Sequence, residues 1–383
     1  MPGYRLQWKS ARGRSLVRER AATVTTITLE HLTKHFHQPV AGERGVITAA
    51  DDINLKLQSG AVLAVLGPSG CGKSTLLRLI AGLEAPDAGR VLYDNVDLRE
   101  IDVRERGVGM VFQDGALMPH WEGWRTVGLF LALRQRAAEV PARVARIAEI
   151  TGVGLKDLLD RRPAQLSGGE RQRVGIARAL ARDPRVFLFD EPFANLDAKF
   201  RASARVELKR LLNEFPVTSV YVTHDQVEAV ALAQRIAVMR YGRIEQVGTY
   251  QQLYHNPVNL FVATFVGTPL MNVFEGRAER GQWVGENFGP FPFRGDLPDG
   301  TRVIMGVRPE HIHLDDDGVY GVVERTIPFF GERYWLVEVH LAGEHWSFTA
   351  PLHQQIEIGS TVRCRPNTDS LLFFDSRSGQ RIG

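Results

Sequence analysis

An unbroken apolar run, Ala61-Val62-Leu63-Ala64-Val65-Leu66, ends on Gly67-Pro68-Ser69-Gly70-Cys71-Gly72-Lys73-Ser74-Thr75, and no other junction restricts the fold as strongly. A run without alternation is a strand buried on both faces, so layers must cover it on either side. Lys73 to Ala81 then reads as a helix with an apolar face. Strand, glycine-rich loop and helix in this order place G-x-x-x-x-G-K-[ST] in the context that gives it meaning, an open parallel α/β sheet. The backbone N–H groups of Gly70 to Ser74 are expected to cradle phosphates. Lys73 is expected to reach the β and γ oxygens, and the Ser74 hydroxyl to ligate magnesium. The bland alternative, a turn with an incidental lysine, does not account for the flanking elements.

Val186-Phe187-Leu188-Phe189-Asp190 is a second all-apolar run, read as a central parallel strand with Asp190 and Glu191 at its carboxyl end. Ligands of open α/β sheets collect at that edge. Asp190 is placed to hold magnesium through water, and Glu191 to act as general base on the attacking water. A pair of carboxylates after a strand is more often a solvated loop, but a phosphate loop in the same sheet weighs against that. Ser219 to Thr223 reads as a third strand, delivering His224, followed by Asp225, to sense the γ-phosphate.

Leu166-Ser167-Gly168-Gly169-Glu170 carries two meanings. Ser167 with Glu170 three residues on is a capping box for a helix running towards Ala181. Gly168 and Gly169, lacking Cβ atoms, also leave the first-turn N–H groups open to a phosphate. The chain thus has two anion-receptive helix starts, and one nucleotide needs only one of them.

Taken together, Walker A at 67–75, LSGGE at 166–170, FLFDEP at 187–192, Asn195-Leu196-Asp197 and Thr223-His224-Asp225 resemble the ATP-binding cassette family. The resemblance implies ATP and Mg²⁺ as cofactors. It makes Gln113 a sensor of magnesium and the attacking water, Asp197 a nucleotide-site residue, and Phe36 an aromatic that stacks on adenine. Phe36 reads equally as a core residue. In this family each ATP lies between the phosphate loop of one cassette and the LSGGE of another, so Ser167, Gly168, Gly169 and Glu170 would serve the neighbour's nucleotide. A head-to-tail dimer closed by two-fold symmetry follows.

Composition is compatible with this. The 383 residues suggest about two domains, and 44% hydrophobic residues supply ample core. A net charge of +3, from 47 basic and 44 acidic residues, gives no basic footprint, so nucleic acid is not an expected partner. Cys71 and Cys364 suggest no disulfide framework and are expected in separate domains, with Cys71 open to thiol reagents unless ATP covers it. No run approaches the ~18 apolar residues of a membrane span. The basic stretch before Thr25 admits three readings: a disordered terminus, a contact with anionic lipid, or a translation start at Val17 or Val24.

Between Gln113 and Ser167 the apolar period becomes helical, over Thr126 to Ala137 and Arg143 to Ile150. The resemblance makes this, at about 114–180, the helical subdomain that docks on membrane partners, with Ala116-Leu117-Met118-Pro119-His120 lining the docking groove. Trp121-Glu122-Gly123-Trp124 departs from the T-V-x-E-N-like stretch of importer ATPases. Its two tryptophans fit either a partner-facing anchor or internal packing. After two short helices, at 251–257 and 259–266, alternating strands at 302–307, 319–325, 334–341 and 361–365 suggest a small antiparallel barrel. Thr268-Pro269-Leu270-Met271-Asn272 and Gly306-Val307-Arg308-Pro309-Glu310-His311 resemble the regulatory domain of maltose, glycerol-phosphate and trehalose importer ATPases.

The expected fold is therefore α/β, a P-loop NTPase cassette of RecA-like core with a helical subdomain, followed by an OB-type all-β barrel. Its expected division is an extension over 1–24, a cassette over 25–250, and linker helices with a regulatory domain over 251–383. The implied function is ATP hydrolysis energising a binding-protein-dependent importer for a sugar or polyol/glycerol-phosphate-like solute. Polyamine, sulfate or iron import, or a soluble non-transport ATPase, is the alternative. Implied partners are a second ATPase subunit, two membrane-spanning permease subunits and a periplasmic or lipoprotein solute-binding protein. The implied location is the cytoplasmic face of the inner membrane, peripherally bound.

Overall fold

The computed structural model describes residues 25–40, 43–113, 117–150, 155–293 and 295–382. The basic stretch before Thr25, with Val17 and Val24, lies outside them. The chain divides into two compact units built from non-contiguous segments. Over the described residues, one comprises 25–29, Leu55–Ala61 and Arg90–Val220; the other comprises Glu30–Asn54, Val62–Gly89 and 221–382.

In the first unit, strand Val186–Asp190 is buried from Val186 to Phe189 and pairs in parallel with Val108–Val111, from Val108 opposite Val186 to Val111 opposite Phe189. Helices Gly123–Leu133, Val140–Ile150, Leu155–Leu159 and Gly168–Leu180 follow and pack on one another. Gly128 permits the approach of the first two, since a Cβ there would lie 2.6 Å from Val140 Cγ1. The helix predicted over 126–137 starts three residues earlier and ends at Leu133. Its stop is a left-handed residue, Gln135 at φ 59°, with the Arg136 N–H bonded to the Leu131 carbonyl at 2.8 Å. This is a Schellman-type termination in which a non-glycine takes the usual glycine place, which is why the sequence hides it.

In the second unit, strand Val62–Leu66 runs parallel to Arg235–Arg240, which folds back on Arg243–Gly248 through Tyr241 and Gly242 at φ 47° and 81°. Both turn residues are left-handed, as a two-residue hairpin of the twisted-strand type requires. Helix Lys73–Ala81 has the predicted bounds. The sequence reading places a first strand at Ile27–Leu32 and only a polar stretch over His37 to Ala50. The structure has two long strands, Ile27–Val40 and Glu43–Leu57. Their polar residues are bonded: Asp87 accepts from the His35 N–H at 2.6 Å and pairs with Lys34 at 3.1 Å, and His35 Nδ1 meets Thr48 Oγ1 at 3.1 Å. Such side-chain bonds accompany the polar stretches of these strands, while Ile27 and Leu29, and Ile53 and Leu57, turn inward at alternate positions.

Short helices Tyr250–His255 and Leu260–Phe265 close over the strand below the phosphate loop. Leu253, Val262 and Val266 share a core with Ala64, Leu66, Ile236 and Val238. Beyond them lie two antiparallel sheets around one core of Phe274, Trp283, Phe288, Val339, Trp346 and Phe348. Asn272 stitches the sheets: its amide donates to the Val307 and Ser347 carbonyls at 3.2 and 2.8 Å, and its oxygen accepts the Ser347 N–H at 2.7 Å. The strand predicted at 319–325 is part of a longer one, Ile312–Phe329. Its pairing slips between Leu314 and Val319 and again between Val323 and Arg325, and these bulges break the period on which sequence reading relies.

Both cysteines are buried and neither forms a disulfide, with Cys71 in the phosphate loop and Cys364 on strand Thr361–Pro366 of the C-terminal sheets, apart as expected. Cys71 is only 5% exposed, so the expected access of thiol reagents is corrected: the phosphate loop folds over this side chain. Burial pushes the Cys364 thiol up to about 12.

Candidate functional site

The phosphate loop takes its shape from close backbone approaches. A Cβ on Gly67 would lie 2.3 Å from the Met239 carbonyl oxygen. One on Gly72, at φ 106°, would lie 2.0 Å from the Ala49 carbonyl oxygen. Gly70 has open space around it but sits at φ 77°. All three glycines are thus demanded by the loop itself. The Gly242 N–H bonds to the Cys71 carbonyl at 3.0 Å, anchoring the loop to the hairpin turn. Gly72 is the N-cap of helix Lys73–Ala81 and offers no side-chain acceptor to the first-turn N–H groups. Lys73, 5% exposed, donates to the Gly67 and Pro68 carbonyls, both at 2.9 Å, so its ammonium lies across the loop. Pro68 and Ser69 are exposed, and Ser74 and Thr75 half-buried.

Strand Thr218–Thr223 ends in the same unit, with His224 exposed just beyond it. Asp225 caps helix Gln226–Leu232, accepting the N–H groups of Val227 and Glu228. Glu228, 3% exposed, receives the Tyr221 and Thr223 hydroxyls, each at 2.8 Å. Gln226 bonds twice, donating to the Phe265 carbonyl and accepting the Gly267 N–H, both at 2.8 Å. Sequence reasoning missed Glu228 and Gln226. The available signal was Asp225 followed three residues later by Glu228, the spacing of a helix start. Phe36 lies half-buried on its strand with Lys34 Nζ 5.5 Å from its ring centre, leaving part of the ring accessible.

The remaining predicted residues belong to the first unit. Ser167 caps helix Gly168–Leu180 as expected: its hydroxyl accepts the Glu170 N–H at 3.3 Å, and Glu170 accepts the Ser167 N–H at 2.7 Å. That backbone bond, helped by Arg161, holds the Glu170 carboxyl below its usual range. Gly168 and Gly169 differ from the loop glycines. A Cβ on Gly168 would find the Asn195 carbonyl oxygen at 3.3 Å, and one on Gly169 only Leu196 Cδ2 at 3.5 Å, with neither residue at positive φ. At Gly169 the surrounding fold makes no demand for glycine.

The turn after Asp190 ties two predicted segments together. Glu191 sits at φ 44°, and the Ala194 N–H bonds back to its carbonyl at 3.2 Å. The Asn195 amide then reaches the Gln113 carbonyl at 3.4 Å, while the Asn195 backbone lies beside Gly168. Asp197 caps helix Ala198–Glu214 through the Phe200 N–H at 3.1 Å. Gln113 is exposed, and Asp190 and Glu191 are half-buried. Beneath the LSGGE helix lies a cavity of about 30 Å³ lined by Gly169, Gln172, Phe193, Leu196 and Glu207. Burial raises the Glu207 carboxyl above its usual range against the opposing pull of Arg173 and Arg210.

Of the segment expected to line a docking groove, Ala116 lies outside the described residues. Met118 is 43% exposed, Trp121 37% and Trp124 39%. Trp124 Nε1 donates to Glu122 at 2.7 Å and the ring lies under Arg125, which fixes the indole while leaving a face in solvent. Both indoles are thus partly exposed and not packed wholly inside. No helix among the described residues is long and apolar enough to cross a membrane.

Residues 50–194 match the ABC transporter family and residues 305–374 match the TOBE domain. An ABC transporter ATP-binding protein of Sinorhizobium fredii is 39% identical over 378 residues, covering 97% of this chain and 98% of that protein. An sn-glycerol-3-phosphate import ATP-binding protein of Rhizobium johnstonii is 43% identical over 86% of this chain and 91% of its own length. A xylose/arabinose import ATP-binding protein of Haloferax volcanii is 38% identical over 93% and 95%. Among solved structures, a dimeric bacterial ABC transporter cassette is 33% identical with a TM-score of 0.52, covering 58% of this chain and 98% of that one. A post-hydrolysis cassette dimer bound to ADP and phosphate is 31% identical with a TM-score of 0.50, at the same coverage.

Proposed function

This chain belongs to the ABC transporter ATP-binding family, and on that premise we propose that it hydrolyses ATP to drive import of a sugar or glycerol-phosphate-like solute. Its relatives that import sn-glycerol-3-phosphate and xylose/arabinose support that solute class. The cassette spans 25–250, with its helical part at about 114–180, and 251–383 carries the regulatory tail. Residues Gly67 to Thr75 bind the ATP phosphates, with Lys73 leaving its loop carbonyls for the β and γ oxygens. Phe36 stacks on adenine. Magnesium suits the donors offered by Ser74, Gln113 and Asp190, a hydroxyl, an amide oxygen and a carboxylate, because it prefers hard oxygen ligands. When bound, it neutralises charge on the β and γ oxygens.

Glu191 takes a proton from water as the water oxygen bonds to the γ-phosphorus. The bond from that phosphorus to the β-bridging oxygen breaks, ADP carries away the electron pair, and phosphate is released. His224 and Gln113 hold the γ-phosphate and the water in line. Ser167 to Glu170, with Asp197, complete the nucleotide site of a second cassette, which is the same chain or a paralogue. Met118, Trp121 and Trp124 face two membrane-spanning permease subunits at the inner side of the cell membrane, and a solute-binding protein acts through that permease.

The observation that carries the two-cassette reading is at Gly169, a glycine in a helix start whose own surroundings leave room for a side chain. The test is Glu191→Gln, which keeps the site's shape but removes the base. With saturating MgATP it is expected to accumulate as an ATP-bound dimer in light scattering. A strictly monomeric Glu191→Gln protein under those conditions would refute the head-to-tail mechanism.

A further inference from the structure

Glu324, His340 and His345 come together on the outer face of the C-terminal sheet, far in sequence from every nucleotide motif. Strand periodicity places them there. Val339 and Leu341 are buried on either side of His340, Trp346 is buried after His345, and Val323 is buried before Glu324. The three residues themselves are exposed. Strands Tyr334–Leu341 and Glu344–Pro351 form a hairpin closed by Ala342 and Gly343 at φ 52° and 82°. This tight turn fixes the register, with His340 directly opposite His345 one pair away from the turn. Glu324 sits at the bulge of the neighbouring strand, between the pairs Val323–Val339 and Arg325–Glu338. A bulge re-aims a side chain, and here the carboxylate meets both imidazoles. Glu324 Oε2 lies 3.0 Å from His345 Nδ1, and Oε1 lies 4.0 Å from His340 Nδ1. The imidazole centres are 5.1 Å apart at an interplanar angle of 69°.

We propose that Glu324, His340 and His345 form a binding site for a divalent transition-metal ion, with Zn²⁺, Cu²⁺ and Ni²⁺ as the fitting class. One ligand atom from each residue lies within 4.8 Å of the other two. Tetrahedral ligands at Zn–N and Zn–O distances of 2.0–2.2 Å stand roughly 3.4 Å apart, so small side-chain rotations close the set without moving the backbone. Imidazole nitrogen selects zinc, copper or nickel, whereas magnesium and calcium favour all-oxygen shells. The site is therefore chemically separate from the magnesium that accompanies ATP. Three protein ligands leave a coordination position for water, which marks an exchangeable site and not a closed structural one. The competing account, a Glu324–His345 hydrogen bond with His340 at 4.0 Å from the same carboxylate, calls for no ion, and metal titration separates the two.

The experiment titrates the full chain, free of nucleotide, with Zn²⁺ by calorimetry and with Cu²⁺ by electron paramagnetic resonance. The expected result is one saturable ion at this face, with two nitrogen couplings in the copper spectrum. His340→Ala and His345→Ala should each weaken binding at least tenfold and remove one nitrogen coupling. Glu324→Gln should weaken it while both couplings persist. All three side chains are exposed, and unchanged melting temperatures of the metal-free variants establish that they fold. The proposal is overturned if no saturable binding occurs, or if binding is insensitive to either histidine substitution.

Discussion

Gly169→Ala separates what the LSGGE segment does for its own helix from what it does for a ligand. The added methyl would contact only Leu196 Cδ2, at 3.5 Å, an ordinary van der Waals distance at the rim of an existing small cavity. Replacing a helical glycine by alanine gains up to about 1 kcal/mol, less in a first turn, and also narrows the unfolded ensemble. The melting temperature is therefore expected to stay constant or rise by about 2–4 °C. Hydrolysis should move the other way, because the same methyl narrows the approach to the first-turn N–H groups. Losing one hydrogen bond to a charged phosphate oxygen costs about 1.5–3 kcal/mol, or roughly a 10- to 150-fold slower rate. The assay is phosphate release at saturating MgATP, with a thermal melt and a fluorescent-nucleotide titration on the same preparation. Retained nucleotide binding with slow hydrolysis is the expected combination. Full hydrolysis at an unchanged or raised melting temperature would mean that no phosphate approaches Gly169. A lowered melting temperature would refute the packing argument.

Glu207→Gln should stabilise the protein near neutral pH. The folded carboxyl titrates above its unfolded value because of burial, so folding opposes its charge at any pH above that window. The gain in melting temperature at pH 7 should shrink as pH falls through the raised folded value, and disappear below the ordinary glutamate range. Arg308→Ala should cost about 3 kcal/mol or more. It deletes charged donors to the Val266 and Tyr254 carbonyls at 2.8 and 2.7 Å, and a cation stacked 3.5 Å from the Tyr254 ring. Arg308→Lys should recover little, since one ammonium cannot span both carbonyls in the plane of a guanidinium. Urea unfolding followed through tryptophan fluorescence measures this, and a loss below about 1 kcal/mol would contradict the reading.

Where local chemistry and tertiary demand coincide, the chain was readable. Val62–Leu66, Lys73–Ala81 and Val186–Asp190 are buried on both faces or capped by unambiguous residues, and their bounds follow from the residues alone. Ser167 and Glu170 make the reciprocal cap that their spacing announces. The first part of strand Glu43–Leu57 carries no apolar period, whereas Ile53, Leu55 and Leu57 alternate at its end, a local signal that went unread. Gln135 ends a helix in a conformation for which glycine is the usual sign. Arg308 stood out only as part of a family-like string. That it is 3% exposed and bonded to two carbonyls more than forty residues away is a property of the assembled fold. Gln226 and Glu228 were hidden for the same reason.

Gln226 sits two positions after His224, and its side chain is fastened to Phe265 and Gly267, while Arg308 at the head of the barrel grips Val266 between them. A displacement of His224 therefore either carries this strap along or ruptures two neutral hydrogen bonds. At about 1 kcal/mol net for each bond, the strap can transmit some 1–2 kcal/mol, roughly a five- to thirtyfold change in an affinity. Linkage makes that channel symmetrical. Whatever a shift at His224 can impose on the barrel through Gln226, a ligand gripping the barrel can impose, by the same factor, on His224.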